Sequence, residues 1–392
     1  MKLYNQKNIL FLSVLLLFLF SSCGRNNNNE NVAATTFGGN LDWKIFRGDP
    51  TLSGFTNVSL PENPVLKWTF ESGNRTRSSL VVYNGVTYWS DRRGRIFGVN
   101  LNGELVFDFS LQTATDATPM IYNSVLYIGR IDGFMTAICL KEKEVIWTFE
   151  TYGQIMASAN IADFGGRTAV VFGSYDNYLY CLDAKTGELL SKFPSGHFLN
   201  GAAAVWNNHL IFGGCDSWVR IVDSQTGIAT DSLRVASYVP NSPAVIGNIA
   251  YVGDHSGNMY RLHLENGRIV HHEIIEHRAS DSGSFVAVPA VSPDAVFFFS
   301  GNRQLYAVNR ADGSLKWTYM LAGNVGESSP IVANDRVLVA TRTGIVSILD
   351  AKTGALLWEY DTGEQILGSP AVIENHFMVL TARGTLFCFG NK

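Results

Sequence analysis

Histidine and glutamate residues that could bind a metal ion cluster in one short stretch of the sequence. It runs from His271 to His277 and reads His-His-Glu-Ile-Ile-Glu-His. A helical zinc-protease motif would need histidine at position 276, where the chain has glutamate, and a helix to align residues four apart. On a strand, His271, Glu273 and His277 would share one face and offer a surface metal site. A solvated outer strand is the simpler interpretation, and we predict that the chain holds no metal.

Carboxylate and amide side chains that suit calcium occur at four places in predicted loops: Asp116, Asn200, Asn241 and Glu327. Oxygen ligands of this kind bind Ca²⁺, but these four are scattered over separate segments of the chain. Such residues more often form turns or caps than ligands. The sequence also lacks a G-x-S-x-G nucleophile motif and a phosphate-binding glycine loop. We therefore predict no catalytic residue.

The overall composition excludes several broad classes of protein. Of the 392 residues, 30 are Lys or Arg and 34 are Asp or Glu, so the formal net charge is −4. A chain with this charge has no excess of positive residues for binding nucleic acid. Apolar residues make up 46% and aromatic residues 12% of the chain, which excludes disorder and predicts a large core.

The first 22 residues have the order of an export signal. Lys2 and Lys7 precede an apolar run from Ile9 to Phe20. This run of about a dozen residues is shorter than the roughly 20 that a membrane-spanning helix needs. We therefore interpret residues 1–22 as a cleaved signal peptide.

The end of this signal resembles the lipobox of bacterial lipoproteins, in which a lipid is attached to the cysteine of Ser21-Ser22-Cys23. Ordinary secretion and an uncleaved anchor are the alternatives. Residues 23–41 have little apolar content and are predicted to form a flexible tether. Because no aspartate stands directly after Cys23, we predict an exported outer-membrane lipoprotein. We also expect it to face the periplasm, although this signal does not indicate the leaflet.

One supersecondary unit recurs eight times through the rest of the chain. Its first strand has the pattern Ser-Pro-Ala-Val or a variant of it, and the copies begin at Ser79, Thr118, Ala159, Ala203, Ser242, Val288, Ser329 and Ser369. The spacing is close to the roughly 40 residues of a four-stranded propeller blade, and no segment has a sustained helical period. The prediction for residues 42–392 is an all-β, eight-bladed β-propeller of four-stranded antiparallel blades.

The eighth unit is short of one strand, and the missing strand stands near the start of the propeller. The segment Leu66–Phe70 matches Leu315–Tyr319 almost letter for letter. An N-terminal strand that completes the last blade would close the ring and pair two otherwise exposed strand edges.

The pattern Asp-x-x-Thr-Gly-x-Leu-x-Trp, clearest from Asp350 to Trp358, resembles the repeat of pyrroloquinoline-quinone-type (PQQ-like) propellers. In that family the tryptophan docks against the neighbouring blade, and the resemblance gives this role to Trp68, Trp147, Trp317 and Trp358. Units three to five have Ser191, Thr230 and His271 instead, which predicts weaker docking in that sector. The segment Trp43–Asp49, with Gly54, resembles a preamble common before such propellers.

Within that superfamily, the chain resembles the outer-membrane assembly factor BamB. The resemblance implies a monomeric, non-enzymatic scaffold whose protein partner at the outer membrane belongs to the β-barrel assembly machinery, with no quinone or calcium cofactor. One alternative is a quinone- and calcium-dependent periplasmic dehydrogenase, although no adjacent cysteine pair occurs here. The other is an envelope-glycan binder that uses Trp218, Tyr175 and nearby arginines.

A propeller places the loops that lead into each innermost strand on the same face as the loops between the second and third strands. On that face we predict a partner-binding surface with an arc of arginines in five consecutive units: Arg75, Arg77, Arg92, Arg93, Arg130, Arg303, Arg342 and Arg383. Units three to five would contribute an acidic and aromatic arc: Tyr175, Asp176, His197, Asp216, Trp218, Tyr238, Asp254 and His255. Arg and aromatic residues are enriched at interface hot spots. The alternative is that the arginines only pair with nearby acids such as Asp91, Asp132 and Asp335.

Overall fold

The computed structural model describes residues 41–275, 286–300 and 303–392. The predicted signal peptide, Cys23, nearly all of the tether and His277 lie outside these ranges. The described residues form 33 strands and no α-helix. Accordingly, the described part of the chain holds no helix that could cross a membrane.

The strands form eight antiparallel blades, each with strands A to D from the axis outward, and this confirms the predicted propeller. Two strands precede blade 1: β1 (Phe55–Thr56) and β2 (Val65–Glu71). Blades 1 and 2 contain β3 (Val81–Tyr83), β4 (Val86–Ser90), β5 (Arg95–Val99), β6 (Leu105–Ser110), β7 (Met120–Tyr122), β8 (Val125–Gly129), β9 (Phe134–Cys139) and β10 (Glu144–Glu150). Blades 3 and 4 contain β11 (Asn160–Phe164), β12 (Arg167–Gly173), β13 (Tyr178–Asp183), β14 (Leu189–Pro194), β15 (Ala204–Trp206), β16 (His209–Gly213), β17 (Trp218–Asp223) and β18 (Ile228–Arg234).

Blades 5 and 6 contain β19 (Ala244–Ile246), β20 (Ile249–Gly253), β21 (Met259–Glu265), β22 (Arg268–Ile274), β23 (Ala290–Val291), β24 (Ala295–Ser300), β25 (Gln304–Asn309) and β26 (Leu315–Met320). Blades 7 and 8 contain β27 (Ile331–Ala333), β28 (Arg336–Ala340), β29 (Ile345–Asp350), β30 (Leu356–Asp361), β31 (Ala371–Ile373), β32 (His376–Leu380) and β33 (Thr385–Gly390). As predicted, β2 supplies strand D of blade 8 and pairs with β33, with Trp68 opposite Cys388.

The two middle strands of each blade are buried on both faces because neighbouring blades cover them. All five residues of β8 are buried, whereas exposed and less exposed residues alternate through most of the outermost strand β10. This difference explains the continuous apolar runs of the B strands. The core therefore lies between blades, as a ring around the axis.

Residues 41–59, which we call the axial segment, run around the channel and bond to every blade. Backbone amides of seven blades donate to carbonyls of this segment at 2.8 to 2.9 Å; the donors are Val82, Ile121, Val205, Val245, Val291, Val332 and Asn375. In blade 3 the Asn160 amide side chain donates to the Pro50 carbonyl at 2.8 Å. Within this segment, β1 also pairs in parallel with β27. The segment thus lies across the end of the channel where the A–B turns are.

A buried arginine and a buried tryptophan explain why two positions of the axial segment are glycine. Arg47 is 1% exposed and donates to the Pro289 carbonyl at 3.2 Å. Burial lowers the pKa of Arg47 to about 9, and the nearby charge of Asp49 opposes this shift. A Cβ atom at Gly54 would overlap the Arg47 guanidinium, and one at Gly48 would come within 2.6 Å of the Trp43 ring. Both glycines also have positive φ. A side chain at either position is therefore disfavoured both by the clash and by the backbone conformation.

Tryptophans of the outermost strands dock three blades onto their neighbours. The indole Nε1 atoms of Trp68, Trp147 and Trp317 donate to carbonyls in the C–D turn of the next blade at 2.8 to 3.1 Å. A Cβ atom at Gly187 or Gly354 in these turns would come within 2.7 Å of the indole ring. The repeated Thr-Gly turn therefore serves both the hairpin and the docking contact.

Trp358 docks differently because it faces the blade that combines both ends of the chain. Blade 8 has no C–D turn, since its strand D comes from the N-terminal side. Trp358 instead packs edge-on against Phe377 and Phe389, with ring centroids 5.6 and 5.3 Å away.

In blade 5 a buried arginine makes the contact that tryptophan makes elsewhere. His271 stands at the tryptophan position there. The Arg261 guanidinium, 6% exposed, donates to the carbonyls of Arg310 and Ala311 in the next C–D turn, both at 2.7 Å. Arg261 also forms an ion pair with Glu273. Docking is thus polar in this blade.

The axial segment leads to a stability prediction. We expect Gly54→Ala to unfold at lower temperature than Gly363→Ala. Both glycines have positive φ, but only at Gly54 would the new methyl group meet the buried Arg47. The clash should add about 1–3 kcal/mol to the backbone penalty. Thermal and urea unfolding of both variants measures the difference, and equal losses of stability would contradict this role of Arg47.

Candidate partner-binding face and central cavity

Two sets of loops form one face of the ring, as the sequence predicted. The D–A loops join strand D of one blade to strand A of the next, and the B–C loops join strands B and C. In seven blades a backbone amide of the B–C loop donates to a carbonyl of the D–A loop at 2.6 to 3.1 Å; the donors are Arg92, Ile131, Tyr175, Cys215, His255, Arg342 and Ala382. The loops therefore support one another on this surface, which we call the D–A/B–C face.

Hydroxyl groups at the start of strand A tie these loops together around the axis. The Ser369 amide donates to the Ser79 hydroxyl at 2.8 Å, and the Ser79 amide donates to the Thr118 hydroxyl at 2.9 Å. The Ser329 amide donates in the same way to Ser369 at 3.0 Å. This is the physical reason for Ser or Thr before proline in the repeat.

A cavity of about 370 Å³ opens from this face along the axis. Its wall includes residues from the D–A loops and strand A starts of all eight blades, and Phe46 of the axial segment also lines it. Because the axial segment bonds to the far ends of the A strands, it lies at the end of the cavity away from this face, where Phe46 contributes to the wall.

The four calcium-type residues converge on this cavity, which the sequence analysis did not foresee. Asp116, Asn200, Asn241 and Glu327 all line it. Asp116 Oδ1 lies 2.9 Å from Arg92 Nε, and Glu327 forms an ion pair with Arg77. Among the described residues of this lining, Asp116 and Glu327 are the two acids. The positive charges of these arginines oppose the binding of a calcium ion between the two carboxylates.

The predicted arginines divide into a paired and an unpaired group. Arg77, Arg92 and Arg130 form ion pairs, the last with Asp132. The other five are exposed and form no ion pair with any described residue: Arg75, Arg93, Arg303, Arg342 and Arg383. Asp91 accepts backbone amides of Arg93 and Arg95 at 2.8 Å rather than pairing with an arginine side chain.

The predicted acidic residues hold their own loops. Asp254 is fully buried and accepts hydrogen bonds from Asn258 and Tyr260 at 2.9 and 3.2 Å. It is therefore not available to a partner, contrary to the prediction from the sequence. Asp176 likewise accepts from the Tyr152 amide and the Tyr180 hydroxyl at 3.0 and 2.6 Å.

Aromatic residues cluster on the same face in blades 3 to 5. The rings of Tyr175 and Phe198 stack with centroids 4.7 Å apart, and His197 contacts Phe198 edge-on at 4.4 Å. In blade 5, Tyr238 stacks on His255 at 4.2 Å. Trp218 is half-buried at the start of β17.

Two exposed aromatic residues of this surface were missed in the sequence analysis. Phe198 is 40% exposed and Tyr152 is 94% exposed. Both stand in D–A loops, where the sequence signal was a large aromatic side chain in a predicted loop. Isolated exposed side chains of this kind are common on protein surfaces. Only their position in loops beside Tyr175 identifies these two as part of the aromatic surface.

Asp216 links the two loops of blade 4. It accepts the Gly196 amide at 2.6 Å and pairs with Arg220, whose Nη1 lies 3.1 Å away. Burial raises the pKa of the Asp216 carboxyl, but the Arg220 side chain and the backbone amides outweigh it, so the pKa is lowered. The ionised carboxylate thus holds the loop that carries His197 and Phe198.

A family model described as outer membrane protein assembly factor BamB matches residues 65–273, 157–318 and 278–390. The chain belongs to this family. The BamB of Shewanella oneidensis is 23% identical over 281 residues, which are 67% of each chain. The BamB crystal structure from Moraxella catarrhalis aligns with a TM-score of 0.70 and 17% identity, covering 84% of this chain and 98% of that one.

Quinone enzymes share the fold of this BamB-family chain. The quinohemoprotein alcohol dehydrogenase of Comamonas testosteroni aligns with a TM-score of 0.76 and 12% identity, covering 92% of this chain and 82% of that one. At this identity the likeness shows the propeller fold alone.

The Asp216 pair leads to a prediction about pH. Because the pKa is lowered in the folded state, the ionised carboxylate stabilises the fold at neutral pH, and this contribution is lost as the pH falls through the pKa. We expect Asp216→Asn to cost about 1–2 kcal/mol at pH 7 and much less only well below the usual aspartate pKa of about 3.9, once the pH has fallen through the lowered pKa of the folded state.

The matched control is Asp335→Asn, since Asp335 is exposed and its side chain forms no hydrogen bond or ion pair in the described structure. Urea unfolding at several pH values measures both variants. A pH-independent cost of Asp216→Asn would exclude the Arg220 pair as its cause.

Proposed function

We propose that this BamB-family chain is a lipid-anchored, non-enzymatic scaffold that binds a protein at the outer membrane. In its most specific form, it contributes to the assembly of β-barrel outer-membrane proteins. The match of the family model to most of the propeller is the observation that carries this proposal. The export signal and Cys23 support the location.

The D–A/B–C face is the proposed contact surface. Its unpaired arginines lie in blades 6, 7, 8 and 1, which are consecutive in the closed ring, and its aromatic cluster lies in blades 3 to 5. Arg and aromatic side chains supply much of the binding energy at protein interfaces. Exposed arginines that form no ion pair with a described residue can bind carboxylates of a partner. A partner that presents acidic groups beside an apolar patch fits this surface.

The ion pairs in the cavity disfavour the quinone alternative. Catalysis by a quinone needs a metal ion that polarises the cofactor carbonyl, and the two acids of the cavity lining are bound to Arg77 and Arg92. The likeness to quinone enzymes reflects the shared fold. A scaffold role therefore accounts better for these residues.

Binding through the face is tested by purification of the tagged full-length protein from gently solubilised membranes. We expect an outer-membrane assembly protein to copurify with the wild type. Recovery should fall at least tenfold in the triple variant Arg303→Ala, Arg342→Ala, Arg383→Ala, and also in Phe198→Ala. The loss reflects removal of the charged and apolar contacts.

The control replaces two exposed lysines of the C–D turns on the opposite face, Lys185→Ala and Lys352→Ala. This variant should recover the partner as well as the wild type does. If the wild type copurifies with no protein, the scaffold proposal is wrong. If the arginine and phenylalanine variants both recover the partner fully, the binding surface lies elsewhere.

The anchor has its own test. We expect the wild type to incorporate labelled fatty acid and to enter the detergent phase on phase separation. Cys23→Ala should do neither, because the thioether lipid needs that sulfur. Incorporation of label by the Cys23→Ala variant would show that the anchor is placed differently.

A further inference from the structure

Three potential metal ligands meet on one face of the two outer strands of blade 5. They are His263 on β21, and His271 and Glu273 on β22. Their ligand atoms all lie within 4.8 Å of one another. The distance from His263 Nε2 to Glu273 Oε1 is 3.6 Å. His263 is a ligand candidate that the sequence did not suggest, and His277, which the sequence did suggest, lies outside the described residues.

The strand geometry explains why these side chains converge. His263 and His271 are direct cross-strand partners, and paired residues on adjacent antiparallel strands have close Cβ atoms. Glu273 is two residues beyond His271 and so projects from the same face of β22. His272, which stands between His271 and Glu273, pairs with Leu262 and projects from the other face.

Arg261 holds Glu273 in place for such a role. One nitrogen of its guanidinium pairs with Glu273, and another is fixed by the carbonyls of Arg310 and Ala311. Arg261 Nη1 and His263 Nε2 both face Oε1 of Glu273, so the second carboxylate oxygen, Oε2, is available to a further ligand bond. Partners that orient a ligand in this way are common around metal sites.

We propose that His263, His271 and Glu273 bind one divalent transition-metal ion, with Zn²⁺ as the best match. Two imidazoles and one carboxylate form a common zinc ligand set, and water can complete a four-coordinate site. Imidazole ligands select against Ca²⁺ and Mg²⁺, which take oxygen ligands. The positive charge of Arg261 opposes a dication, so we expect micromolar rather than nanomolar affinity.

The ion would connect strands C and D of blade 5, at the tryptophan position that His271 occupies. It would add a cross-link in the sector where docking is polar. This inference does not depend on the scaffold role, because the three ligands lie on the outer strands, away from the cavity lining.

The test uses full-length protein with a histidine-free affinity tag. Titration with Co²⁺ should give the intense visible bands of a four-coordinate site at one ion per chain, and Zn²⁺ should displace the cobalt. Calorimetry with Zn²⁺ gives the affinity. We expect His271→Ala and His263→Gln to weaken binding at least tenfold, whereas His272→Ala, the matched control on the other face, binds like the wild type.

Thermal unfolding with and without Zn²⁺ shows whether each variant is folded and whether the ion stabilises it. The ion should raise the unfolding temperature of the wild type and of His272→Ala, but not of His271→Ala. Absence of the four-coordinate cobalt spectrum in the wild type would overturn the proposal. So would equal Zn²⁺ affinity of the wild type, His271→Ala and His263→Gln.

Discussion

Each innermost strand of this ring has one edge with no neighbouring strand, and its backbone amides must find acceptors. The axial segment supplies an acceptor to every blade. Its path around the channel depends on the buried Arg47 and on Gly54, which leaves room for the guanidinium. Because this segment lies at the A–B end of the channel, the cavity is lined by the D–A loops at one end and by Phe46 of the axial segment at the other. The need to satisfy these backbone amides thus shapes the cavity.

The ring is regular in topology but not in the chemistry that joins its blades. Blades 2, 6 and 8 dock through tryptophan, whereas blade 5 docks through Arg261 and blade 4 through the Thr230 hydroxyl, which donates to the Gly267 carbonyl at 2.7 Å. The aromatic cluster of the D–A/B–C face and the proposed metal ligands lie in this same polar sector. Polar contacts between blades are more easily rearranged by water than buried indole rings are.

On the D–A/B–C face, acidic residues hold loops in place, whereas several arginines remain exposed. Acids such as Asp216 and Asp254 are occupied in holding their loops, while five arginines remain exposed and unpaired among the described residues. The chain is negative overall, yet this rim offers mainly positive and aromatic groups. This arrangement is the basis of the acidic partner that we propose.

The sequence by itself determined the blades, their number and the closure of the ring. Each repeat contains its own strand and turn signals, and the tryptophan and Thr-Gly positions recur with them, so local pattern was sufficient. Tertiary structure alone decided which side chains meet across blades. Glu327 lies 250 residues from Arg77 along the chain, and this pair forms only after the ring has closed, whereas Asp116 and Arg92 meet across the consecutive blades 1 and 2. Likewise, the burial of Asp254 depends on loop packing, and the position of His263 beside His271 depends on strand register. Neither can be read from the residue type at a single position.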